Sequence, residues 1–214
     1  MSRVMVVSIG PGNIDYINQK AKERLEQSDF VLGSRRQIED VKRICSPTTE
    51  FYVYKKITEI KEVVEKEQEK KISILVSGDS GYYSLVPYLK KVLREEFDII
   101  PGLSSFQYLF SKIGENWQDF FIGSVHGRKL DYIQKFREEN RGLVLLTDEE
   151  NNPKQIAKNL WEAGFRKVDI IVGENLSYQE ENISYYKIED WEIMPERFEM
   201  NVCIYRKGEE NAYL

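Results

Sequence analysis

A single imidazole, His126, serves all 214 residues, in the run Ser124-Val125-His126-Gly127-Arg128 straight after an apolar stretch. Imidazole is the side chain best suited to proton transfer near neutral pH. His126 is therefore the candidate base, set against the plainer reading of an ordinary surface or structural histidine. With one histidine in the chain, no multi-histidine metal centre can form. Cys45 and Cys203 lie too far apart in sequence for a metal-binding spacing and make no disulfide framework. Both read as reduced core thiols, and no metal site is expected.

The other chemistry-bearing features are short glycine loops, each directly after an apolar run. Ile9-Gly10-Pro11-Gly12-Asn13 follows Val4–Val7, Ser77-Gly78-Asp79-Ser80-Gly81-Tyr82-Tyr83-Ser84 follows Ile72–Val76, and Pro101-Gly102-Leu103-Ser104-Ser105 follows Phe97–Ile100. Glycine lets backbone turn tightly and lets a ligand approach amides and carbonyls. In open α/β sheets ligands sit outside the carboxyl ends of strands, so the three loops are expected to line one crevice. Asp15 stands where a dinucleotide fingerprint would place its third glycine, and no Walker lysine follows any glycine. A nucleotide-dependent oxidoreductase is thereby the weaker alternative.

Within these loops several side chains have two readings. Asp79 is either an acceptor for ligand hydroxyls and amines or the N-cap of a helix beginning at Tyr82. Ser104 reads as a cap of the following helix; without a Gly-x-Ser-x-Gly elbow it is not a nucleophile. Arg35 and Arg36, after Gly33-Ser34, and Arg128 are local cations in an acidic chain. They either grip carboxylates or form surface ion pairs. Gly173-Glu174-Asn175, after Val168–Val172, is a turn or a set of ligand acceptors.

The elements needed to hold these groups alternate strand, loop, helix. Strands are expected at Val4–Ile9, Phe30–Leu32, Ile72–Val76, Phe97–Ile100, Phe120–Ile122, Leu143–Thr147, Val168–Val172, Ser184–Ile188 and Val202–Tyr205. Most are continuous Val- and Ile-rich runs, as in strands buried on both faces. Helices are expected over Ile14–Gln27, Ile57–Lys71, Tyr82–Glu95, Phe106–Ile113 and Pro153–Ala163. A boundary near Gly114-Glu115-Asn116 divides the chain into residues 1–113 and 114–214, both α/β, the second closing in a mixed or antiparallel sheet edge.

The net charge of −5 argues against a nucleic-acid surface. No apolar run approaches the roughly 20 residues of a membrane span, and the N-terminus leads straight into a strand-like run. A cytoplasmic protein with neither a nucleic-acid nor a membrane partner is expected.

Taken together, the first three loops resemble the tetrapyrrole methylases, which use S-adenosyl-L-methionine. The runs Gly33-Ser34-Arg35-Arg36, Ser124–Arg128, Leu146-Thr147-Asp148 and Gly173-Glu174-Asn175-Leu176-Ser177 are similar to the branch that methylates C5 of a corrin precursor, cobalt-precorrin-7 or its metal-free analogue. The likeness spans about Val4 to Arg206. It implies two α/β domains with a cofactor cleft between them, and a homodimer. It implies cofactor contacts at Asn13, Gly78, Asp79, Tyr82, Ser104 and Ser105, and further ones at Leu146, Thr147, Gly173, Glu174 and Asn175. Arg35, Arg36 and Arg128 would then anchor the carboxylates of a small-molecule corrin precursor. A separate protein that methylates C15 and decarboxylates is implied as a partner in the chemistry, and any cobalt would belong to the substrate. Another tetrapyrrole methylase, acting at a different ring carbon, is the alternative within the fold. One departure is Ser80, where many family members carry proline.

Overall fold

Val4, Val6, Ile72 and Ile74 pack against one layer of helices, while Met5, Val7, Val31 and Leu75 pack against another. That alternation is why the first strands read as unbroken apolar runs: a strand covered on both faces has no solvent side to mark with polar residues. The structure, a computed structural model, describes residues 2–208. It divides into two compact units, Met1–Ser105 and Phe106–Leu214. The division falls after Ser105, the first residue of the helix Ser105–Ile113. Phe106 and Phe110 of that helix meet Trp117 edge-on, and Phe110 also meets Phe120, with centroids 5.2–6.2 Å apart.

The first unit is a five-stranded parallel sheet in the order β3-β2-β4-β1-β5. Its strands are β1 (Val4–Ser8), β2 (Phe30–Gly33), β3 (Glu50–Val53), β4 (Ile72–Val76) and β5 (Phe97–Ile100). Helices α1 (Gln19–Glu26) and α2 (Arg35–Val41) contribute Ala21, Leu25, Ile38 and Val41 to one face. Helices α3 (Glu59–Lys66) and α4 (Val86–Val92) contribute Ile60, Val64, Val86 and Leu89 to the other. The chain therefore leaves adjacent strands β1 and β4 toward opposite faces. That is the topological switch point, where α/β sheets open a crevice at their carboxyl ends.

The second unit carries the order β6-β7-β10-β8-β9: β6 (Phe120–Ser124), β7 (Gly142–Leu146), β8 (Val168–Glu174), β9 (Asn182–Lys187) and β10 (Asn201–Lys207). β6 and β7 are parallel, while β10 is antiparallel to β7 and β8, and β8 to β9. This is the mixed sheet with antiparallel closing strands expected from the sequence. Helices α5 (Ser105–Ile113), α6 (Tyr132–Glu138) and α7 (Pro153–Glu162) complete it. Phe136 of α6 and Ile156, Ala157 and Leu160 of α7 pack on Leu143, Leu145, Val172 and Tyr205. Cys203 is fully buried in this core, where desolvation raises its thiol far above the usual range. Burial pushes Cys45 up to about 11. Among the described residues no helix is long and apolar enough to cross a membrane, and no cluster of metal-ligating side chains forms.

Three expected helices begin elsewhere. Ile14–Gln27 splits into a short 3-10 turn, Ile14–Tyr16, and α1, because the Asn18 side chain caps α1 by accepting the Ala21 amide at 2.9 Å. The helix expected from Tyr82 begins only at Val86, after Tyr83 turns the chain at φ 46°. The expected Ile57–Lys71 helix shortens to α3. The edge strand β3, α2, α6 and two short 3-10 helices, Lys42–Ile44 and Ile188–Glu192, have no counterpart among the expected elements.

Candidate functional site

In the first unit, the loops after β1, β4 and β5 meet at one end of the sheet. Gly10 and Gly78 form an isolated antiparallel bridge just beyond the ends of β1 and β4. Both take positive φ, 72° and 67°, a conformation that costs a residue bearing Cβ. Gly102, from the third loop, sits so close that a Cβ there would lie 2.5 Å from the Gly78 carbonyl oxygen and 2.7 Å from Ser8 Cβ. Gly102 is therefore a glycine for packing. At Gly78 a Cβ would meet only ordinary contacts, Ser104 Cα at 3.6 Å and Ser105 N at 3.9 Å, so φ and open backbone define that position.

Of the two roles its sequence context suggested, Asp79 does not take that of a helix cap, since α4 starts at Val86. Its carboxylate accepts loop amides: Gly81 N donates to Oδ1 and Gly102 N to Oδ2, each at 2.8 Å. Asp79 thus ties the second loop to the third. Two more bonds tighten the cluster. The Ser80 amide donates to Ser8 Oγ at 3.0 Å, and Asn18 Nδ2 donates to the Pro101 carbonyl at 2.6 Å. A proline at position 80 would have no N–H for the first of these.

The remaining expected residues of this unit lie around the same end. Asn13 caps the 3-10 turn, its Oδ1 accepting the Asp15 amide at 2.9 Å. Tyr82 and Tyr83 meet edge-to-face, centroids 4.8 Å apart, with Tyr83 partly exposed. Ser104 is buried, and Ser105 begins α5. Arg35 and Arg36 open α2 behind a capping box in which Ser34 and Gln37 satisfy each other's backbone amides. Arg36 donates to Ser77 Oγ at 3.0 Å and faces Asp40 at 3.7 Å, while Arg35 is exposed. Arg36 thus already has a structural tie to the second loop.

In the second unit, the carboxyl ends of β6, β7 and β8 and the start of β10 form one edge. The Val125 amide donates to the Leu146 carbonyl at 2.9 Å and the Asn175 amide to the Met200 carbonyl at 2.9 Å. His126 is exposed, and its Nδ1 lies 3.0 Å from the Thr147 carbonyl oxygen. A carbonyl can only accept, so Nδ1 carries the proton and Nε2 is left as the acceptor of the neutral ring. The Thr147 hydroxyl donates to Asn201 Oδ1 at 2.7 Å. Asp148 Oδ2 accepts the Gly127 amide at 2.9 Å, and Oδ1 accepts the Asn151 amide at 2.7 Å. Burial alone would raise the Asp148 carboxyl, but these amide bonds and the nearby imidazole outweigh it and hold the group below its ordinary value.

Arg128 lies in the same turn, its Nε 3.4 Å from the His126 carbonyl. Gly173 and Glu174 are not in a loop as expected but end β8, paired with Val202 and Asn201 of β10. The place of a Gly173 Cβ is occupied by Leu176 and Leu109 within 2.9–3.1 Å, which makes it a packing glycine. Glu174 accepts the Glu199 amide at 2.8 Å, and Asn175 turns the chain at φ 45°. Asn201 had no signal in the sequence reading. Asp148 was inside a noted run but was given no role.

A sequence model of the tetrapyrrole (corrin/porphyrin) methylases matches residues 3–191. The chain belongs to this family. It is 34% identical to a protein of Methanocaldococcus jannaschii named probable cobalt-precorrin-7 C(5)-methyltransferase, over 97% of this chain and 99% of that one. Among solved structures, a cobalt precorrin-4 methyltransferase superposes with a TM-score of 0.82 at 17% identity, covering 94% of this chain and 93% of that one. The uroporphyrin-III C-methyl transferase of Thermus thermophilus, complexed with S-adenyl homocysteine, superposes with a TM-score of 0.77 at 23% identity, covering 97% and 98%. At these identities the two structures bear on the fold, which they share with this chain.

Proposed function

We propose that this chain is an S-adenosyl-L-methionine-dependent C-methyltransferase that methylates C5 of a corrin precursor, cobalt-precorrin-7 or its metal-free analogue, in cobalamin biosynthesis. The observation that carries the reading is the end-to-end identity of 34% to the relative of that name. The first unit's loops suit the cofactor in kind. The Gly78 backbone is open, and beside it lies a partly exposed tyrosine pair, a surface that suits an adenine ring or a sulfonium cation.

When bound, S-adenosyl-L-methionine supplies the methyl group as an electrophile already activated by its positive sulfur. The chain's own task is alignment and the handling of a proton. Asn13, Gly78, Asp79, Tyr82, Ser104 and Ser105 hold the donor, and Asp79 also fixes the loops around it. Orientation of this kind is worth up to roughly 7–11 kcal/mol between well-placed partners. Leu146, Thr147, Gly173, Glu174 and Asn175 are assigned to the same ligand by the resemblance alone. Arg35, Arg36 and Arg128 bind substrate carboxylates, so local cations do the anchoring in a chain of net charge −5. His126 Nε2 accepts the proton that the methylated carbon must lose.

The test is direct. Purified protein with carbon-13-methyl-labelled S-adenosylmethionine and the corrin precursor should yield a product heavier by one labelled methyl, placed at C5 by NMR. A label at another ring carbon would make the chain a tetrapyrrole methylase of different regiochemistry.

A further inference from the structure

We propose that Asp148 is the positioning residue for His126, holding the turn that presents the imidazole with Nδ1 protonated and Nε2 open. The inference rests on the reading of His126 as the base. Gly127 turns the chain at φ 62° immediately after His126, and nothing lies within 4 Å of where its Cβ would be. The turn is closed by the Arg128 amide, which donates to the Val125 carbonyl at 3.3 Å. The Asp148 carboxylate fastens that turn to the loop after β7 by accepting the Gly127 amide at 2.9 Å. On the other side of the ring residue, the His126 amide donates to Ser124 Oγ at 3.2 Å. The imidazole itself is oriented by the carbonyl of Thr147, the residue next to Asp148.

One short segment, Thr147-Asp148, thus fixes both the ring and the backbone that carries it. Thr147 is in turn anchored through its hydroxyl to Asn201 on β10. The charged groups of the turn and the loop that fastens it include Asp148 from the loop after β7 and Arg128 and Lys129 from the turn's own segment; Asn201 from β10 is neutral. When a C–H proton leaves the substrate, its bonding pair stays with the ring system and the proton goes to Nε2. The imidazolium so formed has the Asp148 carboxylate as its nearby counter-charge.

The chain's single histidine makes the test unambiguous, because a nitrogen-15 spectrum of the full-length protein contains one imidazole. In the wild-type protein, Nδ1 should appear protonated and Nε2 unprotonated in the neutral ring. Asp148→Asn should shift that population toward Nε2–H and lower kcat by up to about a hundredfold. It should leave S-adenosylhomocysteine affinity intact. Asp148→Glu should recover part of the loss. A wild-type spectrum dominated by Nε2–H would overturn the proposal without any variant. So would an Asp148→Asn protein with the wild-type tautomer and wild-type kcat. Full kcat in His126→Ala, alongside the expected spectrum for the wild-type protein, would instead remove the base reading, so the two failures are told apart.

Discussion

Gly10 and Gly78 exchange both of their backbone hydrogen bonds, Gly78 N to Gly10 O at 2.7 Å and Gly10 N to Gly78 O at 3.2 Å. They do so at the ends of strands that run parallel, so the chain reverses its pairing sense within two residues of each strand. Left-handed backbone at both positions makes that reversal possible. The bridge sets the spacing of the two loops that depart toward opposite faces of the sheet.

Gly78→Ala should keep the fold while placing Cβ at a left-handed position, a strain of roughly 1–2 kcal/mol. S-adenosylhomocysteine affinity should fall at least about tenfold by calorimetric titration, equivalent to about 1.4 kcal/mol. Unchanged affinity would remove this loop from the proposed site. Gly102→Ala should act differently. Its Cβ collides with backbone and Ser8, so stability should drop by about 1–3 kcal/mol, read from urea unfolding.

Asp79→Ala removes the shared acceptor of the Gly81 and Gly102 amides. Because the site is half-buried, a loss of about 1–3 kcal/mol in unfolding free energy is expected. Asp79→Asn keeps one acceptor oxygen and should fall between the two. Asp79→Ala with full stability but poor cofactor affinity would mean that the carboxylate serves the ligand directly and not the loops.

Arg35→Gln and Arg36→Gln should separate. Arg35 is exposed at the start of α2, so its loss should raise the substrate KM alone. Arg36 also reaches Ser77 beside Gly78, so its loss should raise KM and weaken S-adenosylhomocysteine binding together. Wild-type KM in both variants, and in Arg128→Gln, would leave the substrate carboxylates without these partners.

His126→Ala should reduce kcat by about 10²–10⁴, the usual worth of a positioned base. The melting temperature should hardly move, since the ring is exposed and makes one bond, to the Thr147 carbonyl. Single-turnover methyl transfer, followed by mass spectrometry, measures the chemical step without product release.

Asp148 also predicts an acid response. Its folded carboxyl is depressed below its unfolded value, so the stability it contributes is present above the unfolded value near pH 4. It is lost as pH falls through the folded one. Asp148→Asn should therefore lower stability at pH 7 and flatten the pH dependence below about pH 4. Parallel acid-unfolding curves for variant and wild type would contradict this.

What the sequence made legible follows from where the information sits. β1 and β4 were readable because VMVVS and ISILV are buried at every position. β3 was not, since Glu50-Phe51-Tyr52-Val53 is a sheet edge with three exposed residues. α2 hid behind Arg35-Arg36, although Ser34 and Gln37 carried the spacing of a capping box. Pro87, in the first turn of α4, marked that helix start better than the tyrosines before it did. The glycine loops were found, and they converge. The role of Asp79 was out of reach because its partner Gly102 is 23 residues away. Asn201, 54 residues from Thr147, was hidden for the same reason. Such partners are set by strand order, and no local spacing encodes strand order.

Ser80 carries a consequence for how the second loop stays ordered. A pyrrolidine ring at this position would restrict the backbone in every state of the chain and act by narrowing the unfolded ensemble. Here the same stretch is fastened by an amide donating to a hydroxyl 72 residues away, a contact that exists only once β1 is in place. One device is an entropic restraint; the other is an enthalpic latch. The order of this loop is therefore conditional on the integrity of its neighbour strand, and whatever loosens Ser8 on warming loosens the loop with it.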